Sequence, residues 1–471
     1  MTLFSYHGGR KMTVLNSKTS FIILAIVVIY ILITSILSYK WSGHSNSDFM
    51  QGGKGIPYFV VAVMLFFNYN GIMAVIGTAQ RAYDCGMAAT WSVFAASIGF
   101  ILFGCFFVKR LYNTGKFTIS GAIKQKYGRS TQIIVSLIMI YAMLMLNLNT
   151  YFSGASVLHE ILGLKLSVSM LIIAIVSTIY FSIGGMKSVA RTTMIHTFFK
   201  YCAVLIIMAV ALVLSHGVGN LTANLPHYYF SLSGKVGWVT IIGWILTSAG
   251  AIFSTQFIAQ SIASTPSARD AQKATFWAAF LVIPFGLGLG LIGVGARYLY
   301  PHINALYALP VFLGHMNVVL ASISAIGLLA SVFVGVSACS LAIVALVVDD
   351  FYVPHWHPEA KKQLKVTKII SIIVGFLPLI FMFMTPNILA LSFFAKALRV
   401  SIAIVAVMAF YLPTFNSTKV ANVALLGTTI LTTVWYLLGD PFGINDTYIA
   451  IFTPLVVMIL GRLFIKSGKR G

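Results

Sequence analysis

The stretch Tyr180-Phe181-Ser182-Ile183-Gly184-Gly185-Met186-Lys187-Ser188-Val189 decides how this chain is read. It stands between two long apolar segments, 167–184 and 190–214. Paired glycines followed by a lysine predict a turn that joins two helices at a membrane surface. Outward from it in both directions, apolar segments of about 18–25 residues recur, the length a helix needs to cross a bilayer.

Composition supports that solvent. Apolar residues make up 59% of the 471 and charged residues 8%, far from the balance of a soluble domain. Open strands are excluded at membrane depth because their backbone groups would find no partner there. The expected class is all-α: a polytopic membrane protein with about thirteen transmembrane helices. The spans fall near 20–40, 57–80, 88–108, 131–156, 167–184, 190–214, 238–256, 274–296, 317–347, 367–384, 388–411, 420–438 and 447–465. The first is too long for a signal-peptide core and reads as an anchor helix.

The net charge of +22 belongs to topology and lipid rather than to nucleic acid, because no soluble basic domain exists to grip one. With the N-terminus outside, 21 Lys and Arg fall in inside loops and seven outside, among them Arg10, Lys11 and Lys18 against the trend. Positive loops face the cytoplasm, so the C-terminus is expected there and the protein in the plasma membrane. Lys200, Lys396 and Arg399 remain at membrane depth. Cys85, Cys105, Cys202 and Cys339 share no metal or redox spacing. No nucleophile elbow, phosphate loop or acid–base cluster appears, so an enzyme is not expected.

Two spans carry interruptions. One reads Phe66-Phe67-Asn68-Tyr69-Asn70-Gly71, and the other Thr247-Ser248-Ala249-Gly250-Ala251-Ile252-Phe253-Ser254-Thr255-Gln256. Glycine weakens each helix, and the polar groups can pair the backbone that a break sets free.

Several segments, in order, resemble the sodium:solute symporter family. They are the Gly-Gly-Met-Lys-Ser-Val stretch, Ala82-Tyr83-Asp84-Cys85-Gly86, Leu111-Tyr112-Asn113-Thr114-Gly115-Lys116-Phe117-Thr118, Lys126-Tyr127-Gly128, the run 154–163, Gln256-Phe257-Ile258-Ala259-Gln260, Ala268-Arg269-Asp270-Ala271-Gln272-Lys273-Ala274 and Val348-Asp349-Asp350-Phe351-Tyr352. Together they cover about 57–375. The resemblance implies a leucine-transporter-like, five-plus-five inverted repeat with flanking helices. Its parts would be an N-terminal segment and anchor at 1–56, a first repeat at 57–214, an outer loop at 215–237, a second repeat at 238–411, and two C-terminal helices with a basic tail at 412–471. It also implies alternating access to a solute site near the bilayer centre.

The family's sodium ion lies between the first and eighth core helices, held by carbonyls and two hydroxyls. The matching positions here are Phe67 and Asn70 on the first, and Ser331, Val334 and Gly335 on the eighth. A register slip would bring in Ser337 or Ser340. The family's Asp eight residues after the second glycine is Thr193. Sodium takes hard oxygen ligands, and valine and glycine side chains carry none. Weak or absent sodium dependence is therefore expected, with no other cofactor.

The nine carboxylates, Asp48, Asp84, Glu160, Asp270, Asp349, Asp350, Glu359, Asp440 and Asp446, all fall in loops or near helix ends. Proton coupling would need His196, Asp84 or Glu160; a hydrogen-bonded packing histidine is the alternative for His196. Lys396 and Arg399 share one helix face. They point to an anionic solute or a fixed cation in place of sodium, the alternative for Lys396 being snorkelling from near Asn387. Lys200 reads as a snorkelling anchor, and Arg81 with Asp84 as a weak pair. Asn68, Asn70, Asn147, Asn149, Ser254 and Gln256 are candidate solute contacts, although such groups also tie helices together. The expected function is secondary transport of a small polar organic solute. A non-transporting sensor on the same fold is the alternative, lowered by a chain that ends soon after its last span.

Overall fold

A computed structural model describes residues 17–41, 55–116, 118–162, 164–381 and 388–467. The described residues form sixteen helical elements relevant here. They are α1 Ser17–Lys40, α2 Tyr58–Tyr69, α3 Ile72–Cys85, α4 Met87–Asn113, α5 Ile119–Tyr127, α6 Arg129–Leu162, α7 Leu166–Leu214 and α8 Gly217–Asn224 in the first half. The second half holds α9 Trp238–Ser254, α10 Gln256–Ala263, α11 Ala268–Leu299, α12 Val318–Leu346, α13 Ala360–Phe376, α14 Ile388–Tyr411, α15 Thr418–Leu437 and α16 Asp446–Ser467.

Among the described residues, ten helices are long and apolar enough to cross a membrane, and twelve spans result when each of two bent pairs counts as one. Of the thirteen segments read from the sequence, the fifth and sixth fall on one helix, Leu166–Leu214. The chain is a multi-pass membrane protein. α12 is almost wholly buried at the centre, whereas α1, α13, α15 and α16 present apolar side chains outward. Lipid solvates such a surface, so exposed Leu, Ile and Phe carry no penalty.

The turn expected at Gly184-Gly185 is not there. Helical backbone runs without interruption from Leu166 to Leu214. Glycine permits a turn but does not compel one: two glycines cost a helix about 2 kcal/mol relative to alanine, which long apolar flanks can outweigh.

Both expected interruptions are real. α2 and α3 meet at 56°, and α9 and α10 at 53°. The two breaks share one piece of chemistry. At the first, the Asn70 backbone N–H and its Nδ2 both donate to Phe66 O, each at 3.0 Å. At the second, the Thr255 backbone N–H donates to Ala251 O at 2.9 Å, and its hydroxyl donates to the same carbonyl. In each case a cap side chain competes for the backbone and stops the helix.

Where α3 ends, Gly86 adopts φ +79° and lies under Tyr229, and a Cβ there would sit 2.4 Å from Tyr229 Cα. Gly115 has φ +67° but open space around it. Gly115→Ala should cost only the left-handed strain, about 1–2 kcal/mol. Gly86→Ala adds a backbone clash and should lower the thermal unfolding temperature clearly further. Equal shifts for the two variants in detergent would refute the packing argument.

Candidate functional site

The breaks of α2/α3 and α9/α10 lie against one cavity. It begins at Asn68, Tyr69 and Gly71, follows α3 through Thr78 to Arg81, and is closed across by Thr150, Trp244, Gly335, Ser392 and Phe393. Lys396 and Arg399 line it as well, and no carboxylate does among the described residues. The first residues of α3, Ile72 and Met73, also border it, so the positive end of a helix dipole faces the space.

Each cation is held differently. Arg399 is 1% exposed; its Nε donates to Ala395 O at 2.9 Å and its Nη1 to Thr255 Oγ1 at 2.7 Å. That engages two of five guanidinium donors and ties α14 to the second break. Lys396 is half-buried, with its ammonium 5.6 Å from the Tyr69 ring centroid and 5.1 Å from that of Phe393. It therefore faces the cavity instead of snorkelling outward; Asn387 lies outside the described residues. Arg81 turns toward the cavity rather than to Asp84, and its buried Nε has no hydrogen-bond partner among the described residues. The ion pair found among those residues joins Lys273 and Asp270, so the expected Arg81–Asp84 pair does not form.

The candidate solute contacts separate into two groups. Asn68 lines the cavity, and its buried Oδ1 has no partner among the described residues. The other amides and the serine do not line it. Asn70 caps α2, Asn147 Nδ2 donates to Ser340 Oγ at 3.0 Å, and Ser254 Oγ donates to Gly250 O at 2.9 Å. Gln256 Oε1 accepts from the Ile119 backbone N–H at 3.0 Å, and Asn149 is buried within α6. Tyr69, Trp244 and Phe393 line the cavity and are not singled out as contacts by residue type. Tyr69 OH donates to Ser248 O at 3.3 Å, so it links the end of α2 to α9.

The positions matching the sodium site bring few side-chain oxygens, since Val334 and Gly335 have none. Val334 is wholly buried, and Gly335 faces Thr150, where a Cβ would meet Thr150 Cγ2 at 3.3 Å. Ser331 Oγ donates to Gly327 O at 3.0 Å, Ser337 Oγ donates to Phe333 O at 2.7 Å, and Ser340 accepts from Asn147. Asn70 O accepts a hydrogen bond from Lys200 Nζ, and that ammonium lies 4.2 Å from the Phe67 ring centroid. Lys200 is thus 1% exposed and directed into the bundle, not the surface anchor expected. Thr193 Oγ1 is buried without a hydrogen-bond partner among the described residues. A hydroxyl offers one neutral oxygen where the family has a charged carboxylate. The Nδ1 of His196 is hydrogen-bonded to Tyr30 OH, which ties α7 to α1. Asp84 is exposed, and the Glu160 side chain lies outside the described residues.

At the bundle end opposite Arg81, Asp350 is buried in a widened turn after α12. It accepts from Ser120 Oγ, from Gln132 Nε2 at 2.6 Å and from Ser136 Oγ at 2.5 Å, while Arg129 donates to its backbone carbonyl. One carboxylate thereby fastens α5 and α6 to α12.

The family model for the sodium:solute symporter family matches residues 49–428. The chain belongs to the sodium:solute symporter family. Its relatives include a sodium/glucose cotransporter of Vibrio parahaemolyticus, 25% identical over 52% of this chain and 49% of that protein. A human high-affinity choline transporter is 25% identical over 58% of this chain and 50% of that protein. The chain thus spans about half the length of these curated relatives. Among solved structures, a Na+-coupled sialic acid symporter in a substrate-bound outward-open state superposes with a TM-score of 0.82 at 16% identity. That superposition covers 94% of this chain and 97% of the other, which establishes a shared symporter fold.

Proposed function

We propose that this chain is a secondary transporter that moves a small anionic organic solute by alternating access, without drawing on a sodium gradient. The observation that carries the reading is the cavity at the helix breaks, which has Arg81, Lys396 and Arg399 on its walls and no carboxylate among the described residues. Buried cations are expensive unless an anion, carbonyls or water accompany them, so such a space favours a carboxylate-bearing solute. The positive end of α3 adds to that preference, and Asn68 Oδ1 offers an acceptor for a solute hydroxyl. The relatives do not choose the solute, because glucose, choline and sialic acid differ in charge.

No covalent step is involved. Solute binding shifts the populations of states open to one side or the other. The two five-helix units, 57–214 and 238–411, would move against each other in this reading. The bias of Lys and Arg, 21 inside against seven outside, supports an outside N-terminus, a cytoplasmic C-terminus and a plasma-membrane location. The absent hydroxyls at Val334 and Gly335 and the engaged carbonyl of Asn70 support sodium-independent transport.

A thermal-shift screen of the purified protein tests the solute class, since ligands that bind only the folded form raise its melting temperature. Small carboxylates are expected to stabilise it, and glucose and choline are not. Uptake of the stabilising carboxylate into proteoliposomes is expected to be the same in sodium and in N-methylglucamine buffers. Stabilisation by neutral or cationic solutes alone would end the anion reading. Strong, saturable stimulation by sodium would end the claim of sodium independence.

A further inference from the structure

Among the described residues two cations are almost wholly buried, Lys200 and Arg399, and both reach a helix break. Lys200 stands on α7 and donates to the Asn70 carbonyl where α2 stops. Arg399 stands on α14 and donates to the Thr255 hydroxyl where α9 stops. Asn70 and Thr255 hold the same position, directly after the first half of a broken helix. α7 and α14 close the first and second five-helix units respectively. The arrangement is repeated across the molecule, with a different cation in each half.

We propose that the Lys200 ammonium is a tethered counterion that takes the place of a transported alkali-metal ion at the first break. Arg399 plays the corresponding part at the second. The physics of a broken helix calls for such a charge. The C-terminal end of α2 presents unpaired carbonyls and the negative end of its dipole inside the bundle. A mobile cation can neutralise that end, and so can a fixed one. Lys200 supplies three donors, and its charge is screened by the Phe66, Phe67 and Phe285 rings, with centroids at 5.4, 4.2 and 5.1 Å. Neither buried cation has an ion-pair partner among the described residues. Gly327 contributes from behind, since a Cβ there would lie 2.4 Å from Phe199 O. Its absence lets α12 press α7, with Lys200 on it, toward α2.

This inference rests on the chain being an alternating-access carrier, but not on the charge of the solute. The test measures binding of radioactive sodium, and carrier uptake, for purified wild type, Lys200→Ala and Lys200→Met. Wild type is expected to show no saturable sodium binding. Lys200→Ala should lose about tenfold in uptake in N-methylglucamine buffer, the scale of one charge-assisted hydrogen bond. It should regain uptake when methylammonium or sodium is added, because the vacated space admits a small cation. Lys200→Met fills that space without a charge and should be inactive and unrescued. Saturable sodium binding to wild type, which needs no variant to fold, would overturn the inference. So would normal uptake by Lys200→Met, or a Lys200→Ala defect that no small cation repairs. Sodium-independent uptake with an unrescued Lys200→Ala would sink this inference alone and leave the carrier reading intact.

Discussion

Arg399→Gln is expected to lower uptake of a small carboxylate about 10- to 100-fold, since hydrogen bonds to a charged group contribute about 1.5–3 kcal/mol. The guanidinium is the most deeply buried cation of the cavity. Its Nε and Nη1 are engaged by Ala395 O and Thr255 Oγ1, which fixes the plane of the fork. The remaining donors are therefore pre-oriented, and a carboxylate can meet them without a further loss of rotamer freedom. Glutamine keeps a polar tip but loses the charge and the fork. Lys396→Met should cost less, because that ammonium is half-buried and faces the Tyr69 and Phe393 rings. Arg399→Lys should fall between, with charge restored but two-pronged recognition lost. Initial rates against solute concentration in proteoliposomes separate these cases. Normal transport by both Arg399→Gln and Lys396→Met would refute the anion site.

Asp350→Ala is expected to lower the thermal unfolding temperature by roughly 5–10 °C. Removing the carboxylate strands the donors of Ser120 and Gln132 in a buried position, while Ser136 keeps the Gln132 carbonyl as acceptor. Each unpaired donor costs about 1–3 kcal/mol, and a large chain loses about 2 °C per kcal/mol. Asp350→Asn keeps the shape and one acceptor, so its loss should be smaller. Asp84→Ala removes an exposed carboxylate and serves as the neutral comparison. The measurement is differential scanning fluorimetry in detergent. A melting temperature for Asp350→Ala within error of wild type would show that the cluster at the end of α12 is not a fastening point.

The legible part of this protein was local. Apolar runs of membrane length announced the helices, and the Asn-rich and Ser/Thr-rich interruptions announced the bends at Asn70 and Thr255. Both signals lie within a few residues of the feature they produce. The Gly184-Gly185 turn failed for the same local reason, because glycine lowers the cost of a turn without supplying a force that makes one. Lys200 was misread because a lysine near a helix end ordinarily reaches water, and its actual partner is 130 residues away. Asn147, Ser254 and Gln256 look like solute contacts by residue type. Only the structure shows that Asn147 and Gln256 bond across to Ser340 and Ile119, and that Ser254 turns back onto Gly250 of its own helix.

Composition and order along the chain were thus enough to establish lipid as the solvent, helix as the conformation, two broken spans, and a core without central acids. Those properties follow from the cost of unpaired backbone in hydrocarbon, which each segment meets by itself. The fold alone decided which deep polar groups share a space. It brought Arg81, Lys396 and Arg399 around one cavity, and it directed the Lys200 ammonium onto the carbonyl that ends α2. Charge pairing at that depth is set by which helices pack side by side, and no sequence spacing encodes it for residues more than a hundred positions apart.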